Sequence, residues 1–253
     1  MISDSETKNL ITELAKWSQE KTIAQIWWRD DDVSRPTSKL DWMLKTIDSL
    51  EIKPLLAAIP NLSTRELSKA LENCGLPIAA HGLSHLNYEP ADSPKSEFGP
   101  SRDLHDVKKD LIQAKEQLSD IFGDSVIDCF VPPWNRFRED IIPYLSELEF
   151  SGFSSFGRRS SKVHESNLKW FNAHVDVIDW RNTRHFIGRD AMISQITDNL
   201  RRQRTRSGTS EPVGILTHHL NMIQSDWEEL RNIFTVLKKN NAVRFVDPLE
   251  LFH

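Results

Sequence analysis

Apolar residues along this chain fall into two kinds of run. One kind repeats at helical spacing: Leu10, Ile11, Leu14 and Trp17 within Ser5 to Lys21, and Leu40, Met43, Leu44, Ile47 and Leu50 within Ser38 to Leu50. The other kind is short, continuous and β-rich: Ile23 to Trp28, Leu55 to Ile59, Pro77 to Ala80 and Val126 to Val131. Further strands are expected at Gly152–Phe156, Trp170–Ile178, Val213–Thr217 and Val243–Val246, and further helices at Arg138–Leu148, Arg189–Arg204 and Ser225–Lys239. Ser63-Thr-Arg-Glu66 is a capping-box pattern, in which Ser and Glu satisfy each other's free amides and open a helix. A long helix from about Arg102 to Phe122 closes at Gly123, where glycine takes a left-handed terminal conformation. Three prolines and a glycine make residues 88–101 a loop.

Short apolar strands separated by amphipathic helices require a parallel sheet covered by helices, hence an α/β barrel or a doubly wound sheet. No repeat or linker interrupts the alternation. The expectation is one domain over residues 1–253, with residues 1–22 as an N-terminal helix packed on it.

Composition narrows the function. Hydrophobic residues at 38% and charged residues at 27% fit a folded, water-soluble protein. A net charge of −5 weighs against nucleic acid as a partner. Cys74 and Cys129 are too few for a disulfide framework or a four-cysteine zinc site. The polar N-terminus has no signal-peptide pattern and no run approaches the ~20 apolar residues of a membrane span, so the chain reads as cytoplasmic. Arg201 to Arg206 reads as a solvated helix end and the tryptophans mainly as core.

Chemistry collects at strand ends. Arg29-Asp-Asp-Asp32, His81-Gly-Leu-Ser-His85, Pro132-Pro-Trp-Asn-Arg136, Asp176-Val-Ile-Asp-Trp180 and His218-His219 each follow a predicted strand, and in parallel α/β folds those ends share the active face. Adjacent carboxylates repel unless a cation sits among them. His81 and His85, four apart, suit one cation, and a carboxylate from the Asp run completes a two-His, one-Asp set with coordination positions open. One of His218 and His219 faces the site as a proton donor, with Asp179 a candidate to orient the ring. The loop around Lys95, Glu97 and Arg102 reads as a lid.

Taken in order, Asp31-Asp32, His81 to His85, Phe130-Val-Pro-Pro-Trp134, Asp176 to Trp180 and Leu216-Thr-His218 resemble the motifs of the polysaccharide deacetylases, also called the NodB-homology or carbohydrate esterase family four. The resemblance implies a single-domain distorted (β/α) barrel with about seven parallel strands. It implies a divalent metal, Zn²⁺, on Asp32, His81 and His85, with Asp31 the general base and His218 the general acid. Trp134 would offer its backbone amide to the oxyanion. Trp180 would wall the acyl pocket, and Leu216 would belong to the substrate-binding surface. A register shifted by one would make Asp30 the base and Asp31 the ligand. The implied substrate is an acetylated amino sugar or oligosaccharide. Alternatives are another small amide or a formylated sugar, or a carbohydrate-binding relative without catalysis; the resemblance does not set the oligomeric state.

Three positions depart from the pattern: Val33 replaces a glycine, Val131 replaces the arginine that holds the base, and Gly82 stands where Ser or Thr is common. Arg136 or Arg29 is the expected substitute for the lost charge.

Overall fold

The computed structural model describes residues 5–158, 167–205 and 211–252. Along the chain the elements are α1 (Ser5–Gln19), β1 (Ala24–Val33), α2 (Ser38–Leu50), β2 (Leu55–Ala58), α3 (Arg65–Leu71), β3 (Ile78–His81), α4 (Leu104–Phe122), β4 (Val126–Val131), α5 (Ile142–Glu147), β5 (Gly152–Phe153), β6 (Lys169–Trp170), β7 (Ala173–Asp176), α6 (Arg189–Thr205), β8 (Val213–Thr217), α7 (Gln224–Lys238), β9 (Val243–Phe245) and α8 (Pro248–Phe252). Pairing between these strands is parallel throughout, from β1 with β9 to β7 with β8. Parallel neighbours need long crossovers, which the intervening helices supply. Among the described residues no helix is long and apolar enough to cross a membrane.

The chain divides into two compact units, and neither is contiguous. One comprises Met1–Arg29, Thr37–Pro54 and Ala173–Asp247; the other comprises Asp30–Pro36, Leu55–Asn172 and Pro248–His253. β1 therefore gives its first six residues to one unit and its last four to the other.

In the first unit, β1 pairs with β9 from Ala24 opposite Val243 to Ile26 opposite Phe245, and β7 pairs with β8. Trp28 is fully buried, edge-on to Phe234 at 5.5 Å, and its indole N–H donates to Thr217 Oγ1 at 2.9 Å. That bond satisfies the one polar atom of a large apolar side chain. Helix α1 buries Leu10, Leu14 and Trp17 and packs on α6. With them it buries Glu13, whose carboxylate takes the Arg204 Nε at 2.7 Å. The basic run thus turns two of its members, Arg201 and Arg204, onto Glu13; Arg206 lies outside the described residues.

In the second unit the strands run in the order β6-β5-β4-β3-β2, and Ile59 N–H donates to the Val33 carbonyl at the end of β1, 2.9 Å away. Phe153 packs against Trp170 at 4.4 Å and Phe137 at 4.8 Å. Helix α8 lays Phe252 over Gly152, where a β-carbon would come within 2.7 Å of the Phe252 ring and 3.1 Å of Cys129. Glycine is required there by close approach, not by a turn.

Several boundaries differ from the sequence reading, each for a local reason. β1 does not stop at Trp28 but continues through all three aspartates to Val33, so these carboxylates are carried on the strand. Helix α3 is capped by Thr64, whose hydroxyl accepts from Leu67 N–H at 3.3 Å, while Ser63 bonds back to the Ile59 carbonyl. The run Trp170–Ile178 splits into β6 and β7 at Asn172, whose side-chain oxygen accepts from Ser155 N–H and the Trp170 indole while its amide donates to Gly157. Helix α5 starts at Ile142 instead of Arg138, because a single 3₁₀ turn, Glu139–Ile141, takes up the residues ahead of it.

Candidate active site

The second unit gathers the acidic strand end and the histidine turn. β3 delivers His81, and its Nδ1 lies 3.0 Å from the Val131 carbonyl. A carbonyl only accepts, so Nδ1 holds the proton and Nε2 is left to face Asp32. Asp32 Oδ1 is 3.2 Å from His81 Nε2 and 3.2 Å from His85 Nε2. One oxygen thus meets two imidazoles. Within the three residues the candidate ligand atoms all lie within 4.8 Å of one another. Two ligands about 2.1 Å from a tetrahedral zinc lie roughly 3.4 Å apart, so this donor set fits a divalent cation. Of the two registers open in the sequence, Asp32 is the aspartate that reaches the pair.

Backbone geometry makes this meeting reachable. Asp32 and His85 adopt left-handed φ values of 65° and 56°. Each such non-glycine residue costs about 1–3 kcal/mol and persists only where its surroundings hold it. At Asp32 the turn breaks the alternation of strand side chains, so Asp31 and Asp32 are not forced to opposite faces. Asp31 itself is buried, at 1% exposure.

Glu97 completes the turn, a role the sequence showed only as an acidic residue in a Pro-rich loop. Its carboxylate is 0% exposed and accepts backbone N–H bonds from Ser84 at 2.8 Å, His85 at 3.1 Å and Leu83 at 3.3 Å. Burial pushes its carboxyl above the ordinary glutamate range, against the amides of Ser84, Leu83 and His85, which favour the charge. Hydrogen bonds to a charged group contribute about 1.5–3 kcal/mol each. Gly82 has φ 65°, and a β-carbon there would fall 2.1 Å from Glu97 Oε2 and 2.5 Å from Pro133 Cγ. The departure at Gly82 is thereby explained: the carboxylate occupies the space a side chain would need. Gly82→Ala is expected to lower the melting temperature by several degrees and to displace Glu97; calorimetry and a crystal structure of the variant check both.

The loop carrying Glu97 is fixed at many points, unlike a free lid. Asn87 Oδ1 accepts from Ser96 N–H, the Ser96 hydroxyl donates to the Arg136 carbonyl, and Phe98 is buried in a parallel bridge to Phe137. Arg102 holds Asp110 at 2.6 Å. Arg136, expected to replace the motif arginine, instead donates to the Lys95 carbonyl at 3.1 Å. Its charge braces the loop. Trp134, at φ 55°, lays its ring 4.2 Å from His85.

The first unit holds the other residues that the sequence motifs single out. His218 follows β8, and the carboxylate beside it is Asp176, 3.9 Å from Nδ1, not Asp179. Asp179 is turned into its own loop, where the Asn182 side chain first of all holds its carboxyl below the usual aspartate range. The same motif offered both aspartates, and strand pairing decides between them: β7 ends at Asp176, opposite Leu216. Asp176 also accepts the Trp180 indole N–H at 2.8 Å, and the Trp180 ring stands edge-on to His218 at 4.7 Å. Trp180 is 41% exposed, an open aromatic face beside an imidazole. Leu216 is buried in β8, its carbonyl accepting from Val177. His219 is buried beside His218, and Arg29 is buried in β1.

Several solved structures superpose on most of this chain. A polysaccharide deacetylase-like protein from Mycobacterium smegmatis superposes with a TM-score of 0.64 at 14% identity, over 89% of this chain and 88% of that one. A family 4 carbohydrate esterase from Streptomyces lividans, solved with acetate, gives 0.55 at 13% identity over 88% and 91%. A mutant of a family 4 pseudoenzyme from Bacillus anthracis, with restored activity, gives 0.61 at 14% over 92% and 68%. No family model matches the sequence, and no curated protein matches it significantly. The chain has the polysaccharide deacetylase fold, a distorted (β/α) barrel of the NodB type.

Proposed function

We propose that the protein is a divalent-metal-dependent hydrolase of a non-peptide amide bond, acting on an N-acetylated amino sugar or short oligosaccharide. The observation that carries this reading is the single Asp32 oxygen set 3.2 Å from each of two imidazole nitrogens. Asp32, His81 and His85 would hold the cation, and a nitrogen and carboxylate donor set in an open site favours Zn²⁺. A cation there supplies Lewis acidity and makes water a nucleophile at neutral pH.

The chain's own residues then divide the work. Asp31 takes a proton from the attacking water at its carboxylate. The Trp134 N–H donates toward the oxygen on which charge develops. His218 gives a proton to the departing nitrogen, and the Asp176 carboxylate, 3.9 Å from its Nδ1, favours the charged imidazole. A C–O bond forms as the C–N bond breaks, leaving acetate and a free amine. The exposed Trp180 face suits a sugar ring.

A second reading, a carbohydrate-binding protein without catalysis, is favoured by Val131 at the motif arginine and by Arg136 being bonded to Lys95. Metal analysis of the purified protein and turnover of N-acetylated chito-oligomers separate the two. Bound divalent metal with acetate release that stops on chelation is the expected result. Oligomer binding without acetate release supports the second reading. An absence of both metal and turnover removes the first.

A further inference from the structure

We propose that Glu97 is the positioning residue of the metal-binding turn: its buried carboxylate fixes the backbone of residues 83–85 so that His85 meets Asp32. This rests on the metal reading above. His81 needs no such help, because β3 sets its backbone and the Val131 carbonyl sets its ring. His85 lies beyond the strand, in a left-handed conformation that its own sequence does not favour. Three consecutive amides, of Leu83, Ser84 and His85, converge on the two oxygens of one carboxylate.

Glu97 is itself presented rigidly. On one side Ser96 is tied to Asn87 and to the Arg136 carbonyl; on the other Phe98 is buried and bridged to Phe137. Gly82 leaves the space the carboxylate fills. An acidic group delivered by a braced loop, into a gap kept open by a glycine, against three aligned amides, is an arrangement that sets the direction of the second histidine. Outer groups that orient metal ligands typically alter affinity by about 10–100-fold when replaced.

Glutamine matches glutamate in size but offers one acceptor oxygen where three amides need two, and it sets an N–H against an N–H. Cobalt(II) is the probe, since its visible absorption reports the geometry of the donors. Titration of the full-length protein is expected to show Glu97→Gln and Glu97→Ala binding cobalt about 10–100-fold more weakly, with an altered spectrum. Should Glu97→Ala fail to fold, Glu97→Gln carries the comparison. Wild-type affinity and spectrum in Glu97→Gln overturn the proposal. So does a lowered melting temperature with unchanged cobalt binding, the signature of a merely structural role. Wild-type protein that takes up no cobalt overturns the metal reading instead, which keeps the two failures distinguishable.

Discussion

Asp32→Ala protein is expected to purify without divalent metal and to lose amide hydrolysis by about 10³-fold or more. The magnitude follows from comparison: one oxyanion donor is already worth about 10²–10³ in rate, and Asp32 anchors the whole cluster through an oxygen shared by both imidazoles. Alanine at φ 65° also strains the backbone, so part of the loss would come from a shifted strand end. Asp32→Asn separates the effects. Asparagine tolerates the left-handed conformation and keeps the shape, but its amide is a poor ligand. Both variants should lose metal, measured by elemental analysis; full turnover by Asp32→Asn would refute the metal reading.

Arg204→Ala is expected to destabilise the first unit strongly. Glu13 is 1% exposed, and Arg204 is its nearest partner at 2.7 Å; Arg204 also pairs with Glu20. Removing one member of a buried pair strands the other charge, at a cost of up to about 3–5 kcal/mol. Arg201 at 3.7 Å and Lys16 at 3.8 Å stay nearby and soften this, so about 3 kcal/mol is expected, or roughly 6–12 °C in melting temperature. The double change Glu13→Leu with Arg204→Met should recover most of it, since removing both charges is far cheaper than removing one. A single-variant shift under about 2 °C by calorimetry would sink the account.

Helical and strand periodicity made the alternation of elements legible in the sequence, because long amphipathic helices and fully apolar strands leave unambiguous patterns. Helices α2 and α7 and strands β2, β4 and β8 lie within a residue or two of expectation. Strand β1 outran its apolar run because Asp30 and Asp31 are buried polar residues, which a hydrophobicity pattern reads as a terminus. At the site, the residue types that ligate metals announced themselves by identity and spacing. The groups that hold them in place did not. Glu97 acts on amides twelve to fourteen positions away, with no motif to mark it. Asp176 was separated from Asp179 only by where β7 ends. Arg136 illustrates the converse: its charge and position suggested chemistry, and its geometry serves a loop.

Helix α8 has a bearing on biosynthesis. Phe252 covers Gly152, and its carbonyl accepts the Ser151 hydroxyl at 3.2 Å, yet all of residues 173–247 must be translated between the two. A nascent chain stalled before Pro248 would carry β5 and Cys129 without their cover, a bare apolar surface open to chaperones and to self-association. Maturation of that region therefore waits until Pro248–Phe252 has been made, however early its strands emerge.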